Sequence, residues 1–343
     1  MREGMSTETT NQPAILADFE SVRDQQRRGL RGRPGETWAA RAVRQVTGIV
    51  TADPYPQQLT EAAAGVQGAV TTGRRVAVIG TRGGAGRTTT AALLGRVIGS
   101  LRTDPVTVVD ATGPRGTLAL RLAPERRLPT AREVLDAAGR VPATVADLTA
   151  ALVPAGRNLW AAAAPMPGAT DEADLDELVV AASRFCAVTL VDTPVLGDDR
   201  LDDAGVPGRL PGVHALLQVA PCTVAGLDDA RWLAASLRKS AAGVATPPLL
   251  TVLVDVQPGA GLDVVAEARQ LDHDGVPALP LRHDRHLATG VEFDLSLLAR
   301  STRLQATGLA AALVRTAIGG VPLTAPARGG NAEPVDDAQR DAR

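Results

Sequence analysis

Aromatic residues make up only 2% of the 343-residue chain: three Phe, three Trp and one Tyr. Any core must therefore be assembled from Ala, Val and Leu, and there is no stock of stacking platforms for bases or sugars. Cysteine is scarcer still. Cys186 and Cys222, with four histidines, offer no metal-ligand spacing and no disulfide framework, which suits a reducing cytosol; both read as small buried residues. Long apolar runs are missing too. The stretch Met1 to Gln12 is polar with no apolar h-region, and no segment approaches the roughly 20 apolar residues of a membrane span, so a cytoplasmic protein is expected. An excess of one charge is also lacking. A formal net charge of -2 and a pI near 6.1 give no global attraction to DNA or anionic lipid, and DNA is not the expected partner. Finally, Lys239 is the only lysine among 36 basic residues. With abundant Ala, Gly, Pro and Arg, this fits a GC-rich coding background in which arginine is sometimes drift.

What is present is ordinary for a globular protein: 45% hydrophobic and 22% charged residues, in a length that fits one α/β domain of about 250 residues with flanking segments. Residues 1–70 lack strand signals and read as a basic, partly disordered arm with one helix, starting near Glu36-Thr37 and carrying Trp38, Ala42, Val46 and Ile49 on one face. Seven arginines lie between Arg23 and Arg44 against two acids, Asp24 and Glu36. Such an element could dock a partner, make peripheral contact with a membrane surface, or pack on its own core.

From Arg74 onward, short apolar runs alternate with helical periodicity. The runs are Val76–Ile79, Val106–Val109, Leu159–Ala162, Ala187–Val191, Ala215–Val219, Leu249–Val254 and Pro277–Pro280. Helical patterns between them include Ala91–Leu101, Asp174–Ser183, Asp228–Leu237 and Val264–Leu271. Strands without polar alternation are buried on both faces, so a three-layer, doubly wound α/β domain is expected over residues 74–318, with a mainly parallel sheet of about seven or eight strands. Residues 324–343, rich in Pro, Gly and acids, read as a disordered tail.

The strand ending at Ile79 runs into Thr81-Arg82-Gly83-Gly84-Ala85-Gly86-Arg87-Thr88-Thr89-Thr90 and then an apolar helix. Strand, glycine loop and helix in that order let backbone N–H groups curl around phosphate oxygens at a helix N-terminus. Against G-x-x-x-x-G-K-[ST], Thr81 replaces the first Gly and Arg87 replaces the Lys. The remaining run resembles the deviant loop of the MinD/ParA P-loop ATPases.

That resemblance implies ATP and Mg2+ as ligands. It implies nucleotide contacts from Gly83, Gly84, Ala85, Gly86, Arg87, Thr88 and Thr89, with Thr88 on Mg2+ and Thr89 on the α-phosphate. Arg82 takes the signature-lysine position, which reaches across a nucleotide-sandwich homodimer. Val191-Asp192-Thr193-Pro194 resembles the Walker B sequence, making Asp192 a holder of the Mg2+ water shell. Val109-Asp110-Ala111-Thr112-Gly113 resembles switch I, in which Asp110 supports the metal and Thr112 stands where a second carboxylate would position the attacking water. Threonine neither takes a proton from water near neutral pH nor carries charge to orient it, so hydrolysis is expected to be slow or absent. Arginine keeps the charge of the two replaced lysines but is larger and planar, which suits binding better than in-line geometry. The family's base contacts come from near Asp255 and from the segment after Pro280.

Arg285-His286-Leu287-Ala288-Thr289-Gly290, the apolar run Leu309–Leu313, Thr37-Trp38 and the Asp-Ala-x-x-x-x-Gly-Thr-Leu form of switch I resemble actinobacterial MinD-like proteins associated with type VII secretion, the EspI-like group. A dimeric switch or regulatory adaptor with a protein partner, such as secretion machinery, is the implied role. A pseudo-ATPase scaffold that binds no nucleotide and a ParA-like DNA partitioning protein are the alternatives. Ala325–Arg343 lacks the apolar face and basic charge of the MinD membrane helix.

Overall fold

The computed structural model describes residues 30, 35, 53–113, 115–163, 169–196, 212–240, 246–259 and 261–319. The helix expected from Glu36 and the tail at 324–343 lie outside them. Strands β1 (Arg74–Ile79), β2 (Val106–Asp110), β3 (Val153–Gly156), β4 (Leu159–Ala163), β5 (Val188–Asp192), β6 (Ala215–Pro221), β7 (Leu249–Val254) and β8 (Ala278–Leu281) form one sheet in the order β3-β4-β2-β5-β1-β6-β7-β8. Every pairing is parallel except β3 with β4, an edge hairpin turning at Arg157-Asn158. This is the three-layer arrangement expected, with an antiparallel edge strand too short and too Pro- and Gly-rich to stand out in the sequence.

The central strands explain their own burial. In β1, Val76 and Val78 join one core cluster while Ala77 and Ile79 join another; in β6, Ala215, Leu217 and Val219 face the first and Leu216 and Ala220 the second. Alternate residues point to opposite faces of a strand, so apolar residues in a row require cover on both sides. One side is covered by α2 (Arg87–Leu101) and α9 (Arg300–Gly319). The other is covered by α4 (Ala131–Ala138), α6 (Ala169–Phe185), α7 (Val224–Ser240) and α8 (Val264–His273). Two short helices, α3 (Leu118–Leu122) and α5 (Val145–Ala151), complete the layers. Helices α4 and α5 begin with reciprocal capping boxes, Thr130 with Glu133 and Thr144 with Asp147. Both cysteines are free and buried, and burial pushes each thiol up to about 11, which leaves them inert. No helix among the described residues is long and apolar enough to cross a membrane.

Helix α1 (Tyr55–Val66) falls in the stretch that the sequence reads as arm. Its partly or fully buried positions, Tyr55, Leu59, Ala62, Ala63, Gly65 and Val66, recur at helical spacing. It packs on α9 and, less extensively, on α2. Its C-terminal end is held by Arg102, whose Nη1 donates to the carbonyls of Val66 (2.7 Å) and Gly68 (2.8 Å) and whose Nη2 pairs with Asp104 (2.7 Å). A buried arginine on terminal carbonyls caps the helix as a C-terminal cation does elsewhere. At the other end, Arg300 of α9 stacks over the Tyr55 ring, 4.0 Å from its centroid, and pairs with Asp53. Farther up the arm, Gly35 donates its N–H to the Leu297 carbonyl (2.8 Å).

If α1 is integral to the core, Val66→Ala removes two buried methyl groups from a site that is 0% exposed and lowers global stability by about 2 kcal/mol. Urea unfolding followed by circular dichroism should show one transition with a lowered midpoint. An unchanged midpoint would mean that α1 unfolds separately.

Candidate functional site

Pairing fixes the site before any side chain is considered. In the parallel ladder of β2 and β5, Asp110 lies opposite Asp192, and Asp192 lies opposite Val78 of β1. Both acids and the loop leaving β1 thus emerge together at the C-terminal edge of three adjacent central strands, the edge where open α/β sheets bind ligands. The loop turns into α2 through Gly84 (φ 77°) and Gly86 (φ 89°), left-handed values that side chains rarely adopt. Gly86 is the N-cap residue, so the first N–H groups of α2 lack intrahelical partners. Gly83 and Gly84 are exposed, and no described atom lies within 4 Å of where a Cβ on either would sit. Ala85 is buried beneath them.

Asp192 is 0% exposed. Its Oδ1 accepts from Arg87 Nε at 3.3 Å, while its Oδ2 is buried with no hydrogen-bond partner among the described residues. Burial pushes its carboxyl up to about 6; the Thr88 hydroxyl and Arg87 oppose that rise, and the neighbouring Asp110 charge adds to it. Asp110 is almost as buried but fully engaged. Its Oδ1 accepts from the Thr112 N–H (3.0 Å) and the Thr112 hydroxyl, and its Oδ2 accepts from the Leu118 N–H (3.1 Å). Gly116 closes this loop because a Cβ there would lie 2.2 Å from Asp110 Oδ2. Thr112 is therefore a donor that fixes Asp110, and the position offers a hydroxyl where a base would need a carboxylate.

The two arginines at the lysine positions both turn back onto the chain. Arg87 Nη1 reaches the Gly80 carbonyl at 3.4 Å beside its contact to Asp192. Arg82, about half exposed, forks onto Asp229 of α7, with Nε to Oδ2 at 2.6 Å and Nη2 to Oδ1 at 3.2 Å. Asp229 also accepts from Thr81 Oγ1 at 2.8 Å. Thr89 Oγ1 accepts from Arg121 Nε at 3.0 Å. The expected residues are thus gathered in one place, and two were missed from the sequence: Asp229 and Arg121 carry no motif spacing that marks them.

No group of three or more His, Cys, Asp or Glu side chains able to cage a metal occurs among the described residues. The oxygens near one another are Thr88 Oγ1 and the Asp192 carboxylate, whose second oxygen is unpartnered. Hard oxygen donors in that number suit Mg2+, which keeps most of its water and is completed by phosphate.

Comparison with known proteins bears on the fold. No family model matches the chain. The ESX-1 secretion-associated protein EspI of Mycobacterium tuberculosis is 30% identical over 248 residues, which covers 70% of this chain and 36% of EspI. The chain spans about a third of the length of the curated relatives it matches. Among solved structures, MinD in the MinC:MinD cell division complex of Aquifex aeolicus superposes with a TM-score of 0.50 at 20% identity, over 70% of this chain and 95% of that one. The septum site-determining protein MinD complexed with Mg-ADP from Pyrococcus horikoshii gives 0.50 at 18% identity, over 69% and 94%. The Pyrococcus furiosus cell division ATPase MinD gives 0.50 at 21%, over 69% and 97%. The chain has the MinD/ParA fold and is similar to EspI through most of it.

The state of Asp192 has a measurable signature. Its ordinary value is 3.8, so between about pH 4 and pH 6 the folded chain holds a proton that the unfolded chain has lost. Stability therefore falls as pH rises through that window and stays lower above it. A rise from 3.8 to about 6 corresponds to roughly 3 kcal/mol. Asp192→Asn should raise the stability of the ligand-free protein by about 1–3 kcal/mol at pH 8 and converge with the parent near pH 4, by urea titration at each pH. Equal stabilities at pH 8 would contradict a raised carboxyl.

Proposed function

We propose that the chain is a MinD/ParA-like switch that binds ATP with Mg2+ and hydrolyses it slowly or not at all, serving as a dimeric regulatory adaptor in secretion or cellular positioning. The observation that carries this reading is the unpartnered, fully buried Asp192 Oδ2 beside Thr88, at the foot of an open glycine loop on a helix N-terminus. A buried acceptor without a donor is costly in the free protein, and a hydrated Mg2+ would satisfy it. In this reading the backbone from Gly83 through Gly86 cradles the phosphates, Arg87 swings from Asp192 to them, Thr88 and Asp192 hold the hydrated Mg2+, and Thr89 meets the α-phosphate. Bound Mg2+ supplies charge neutralisation at the phosphates. Arg82 must leave Asp229 before it can serve a second subunit. The similarity to EspI supports a protein partner within a secretion system.

Slow chemistry follows from Thr112. Its hydroxyl donates to Asp110, and a threonine oxygen is too weak a base near neutral pH to draw a proton from water, so the general-base contribution of about 100-fold or more is absent. A second reading, a scaffold that binds no nucleotide, is favoured by the internal ion pairs Arg87–Asp192 and Arg82–Asp229, which already neutralise the charges a nucleotide would meet.

Binding and turnover separate the two. Nucleotide at 100 times its Kd stabilises a protein by about 2.7 kcal/mol, and each kcal/mol moves the melting midpoint of a domain this size by roughly 2–4 °C. ATP with Mg2+ should raise the midpoint by several degrees in the parent and not in Thr88→Ala or Asp192→Ala; no rise at millimolar nucleotide would falsify the switch. Phosphate release should be near background in the parent, unchanged in Asp110→Ala, and raised about 10-fold or more in Thr112→Asp. Rapid release by the parent that Asp110→Ala abolishes would overturn slow hydrolysis.

A further inference from the structure

Arg121, on α3, occupies a position that neither the sequence motifs nor the reading above accounts for. Its Nε donates to Thr89 Oγ1 (3.0 Å), and its Nη1 donates to the Thr117 carbonyl (3.0 Å) and to Thr117 Oγ1 (2.8 Å). These partners are hydroxyls and a carbonyl. No carboxylate pairs with it directly among the described residues, and its Nη2 makes no hydrogen bond there. Burial pulls its pKa down, while the charges of Asp192 and Asp110 pull it up, which places the guanidinium in the field of both strand-end acids. A Cβ on Gly290, past the turn that follows β8, would lie 3.8 Å from Arg121 Nη2. The guanidinium thus sits between the first turn of α2 and the segment after β8.

A largely buried cation with no directly paired carboxylate is an expensive feature to retain, because desolvation outweighs the attraction of Asp192 and Asp110. It is also held in place. Arg96 of α2 donates through Nη2 to the carbonyls of Arg121 (3.3 Å) and Leu122 (3.1 Å), pairs with Glu292 (3.2 Å), and stacks over Phe293 with its Cζ 5.4 Å from the ring centroid. The end of α3 is therefore fixed to α2, and its arginine is set beside Thr89 before any ligand arrives. Such prepositioning lowers the ordering cost of binding.

We propose that Arg121 is a phosphate ligand supplied in cis, a third arginine of the site that contacts the α-phosphate beside Thr89. The proposal rests on the nucleotide reading above and adds a specific consequence. A residue at the α-phosphate serves diphosphate and triphosphate alike, whereas one at the γ-phosphate separates them. Arg121 also stands on the segment that begins at Asp110, so phosphate binding draws on the same loop whose N–H groups saturate that acid.

The test is titration of the full chain with ATP, ADP and inorganic pyrophosphate, each with Mg2+, by calorimetry. Arg121→Ala should weaken ATP and ADP by the same factor, at least 10-fold. Arg121→Lys, which keeps the charge but loses the planar fork, should recover part of that loss. The melting midpoint of ligand-free Arg121→Ala should equal or exceed the parent's, because an unpaired buried charge has been removed; if that variant does not fold, Arg121→Gln takes its place with the same expectation for binding. Parent-like affinity in the folded variant overturns the role of Arg121 and leaves the nucleotide reading standing. A loss for ATP alone overturns the α-phosphate assignment. Failure of the parent to bind ATP, ADP or pyrophosphate overturns both.

Discussion

Two carboxylates that must share one end of a buried parallel sheet set the terms for this site. Asp110 and Asp192 are opposite each other in the β2–β5 ladder, and both are nearly or fully buried. Like charges so placed repel in a medium that screens them poorly. The chain resolves this by unequal treatment. Asp110 is saturated by donors from its own loop, at Thr112 and Leu118, whereas Asp192 is met only by Arg87 and the Thr88 hydroxyl and keeps Oδ2 without a geometrically sound hydrogen bond. The first carboxylate is tied into its own loop, and the second is left short of donors at a cost in stability.

The three arginines nearest the loop share one behaviour. Arg82 forks onto Asp229, Arg87 bridges Asp192 and the Gly80 carbonyl, and Arg121 spans Thr89 and Thr117. Each uses two of the fixed donors of a guanidinium at once, on one carboxylate for Arg82 and on two separate groups for Arg87 and Arg121, which the compact ammonium of lysine does less well. The arginines of the site are consequently tied to the chain's own groups in the free protein.

The layered fold was legible in the sequence because every central strand is an apolar run and every run lies on a strand, from Val76–Ile79 to Leu249–Val254. The loop and the two acids were legible because their chemistry demands strand-end positions, and the register brings them together as expected. The Thr130–Glu133 and Thr144–Asp147 pairs carry capping-box spacing in the sequence and mark the starts of α4 and α5. Helix α1 was hidden for a physical reason. Half of its contact face is small, Ala62, Ala63 and Gly65, with single Leu, Tyr and Val residues, and Arg102, more than 30 residues downstream, holds its end. The contacts of Asp229 and Arg121 are tertiary. Each depends on a separation in sequence, 147 residues for Arg82 to Asp229 and 32 for Thr89 to Arg121, that no local spacing encodes.

Helix α1 also bears on how the domain is assembled. The first described helix lies mainly against the last, α9, and the Arg300 that grips Tyr55 begins that final helix. During synthesis α1 emerges long before its partner, and it is too short to persist alone in water. Completion of the layer on that face of the sheet must therefore wait for the last helix of the domain, a loop closure spanning nearly the whole fold. Until then the buried faces of α2 and the central strands lack part of their cover, so the growing chain passes through a period in which its earliest and most apolar elements are the most exposed to wrong partners.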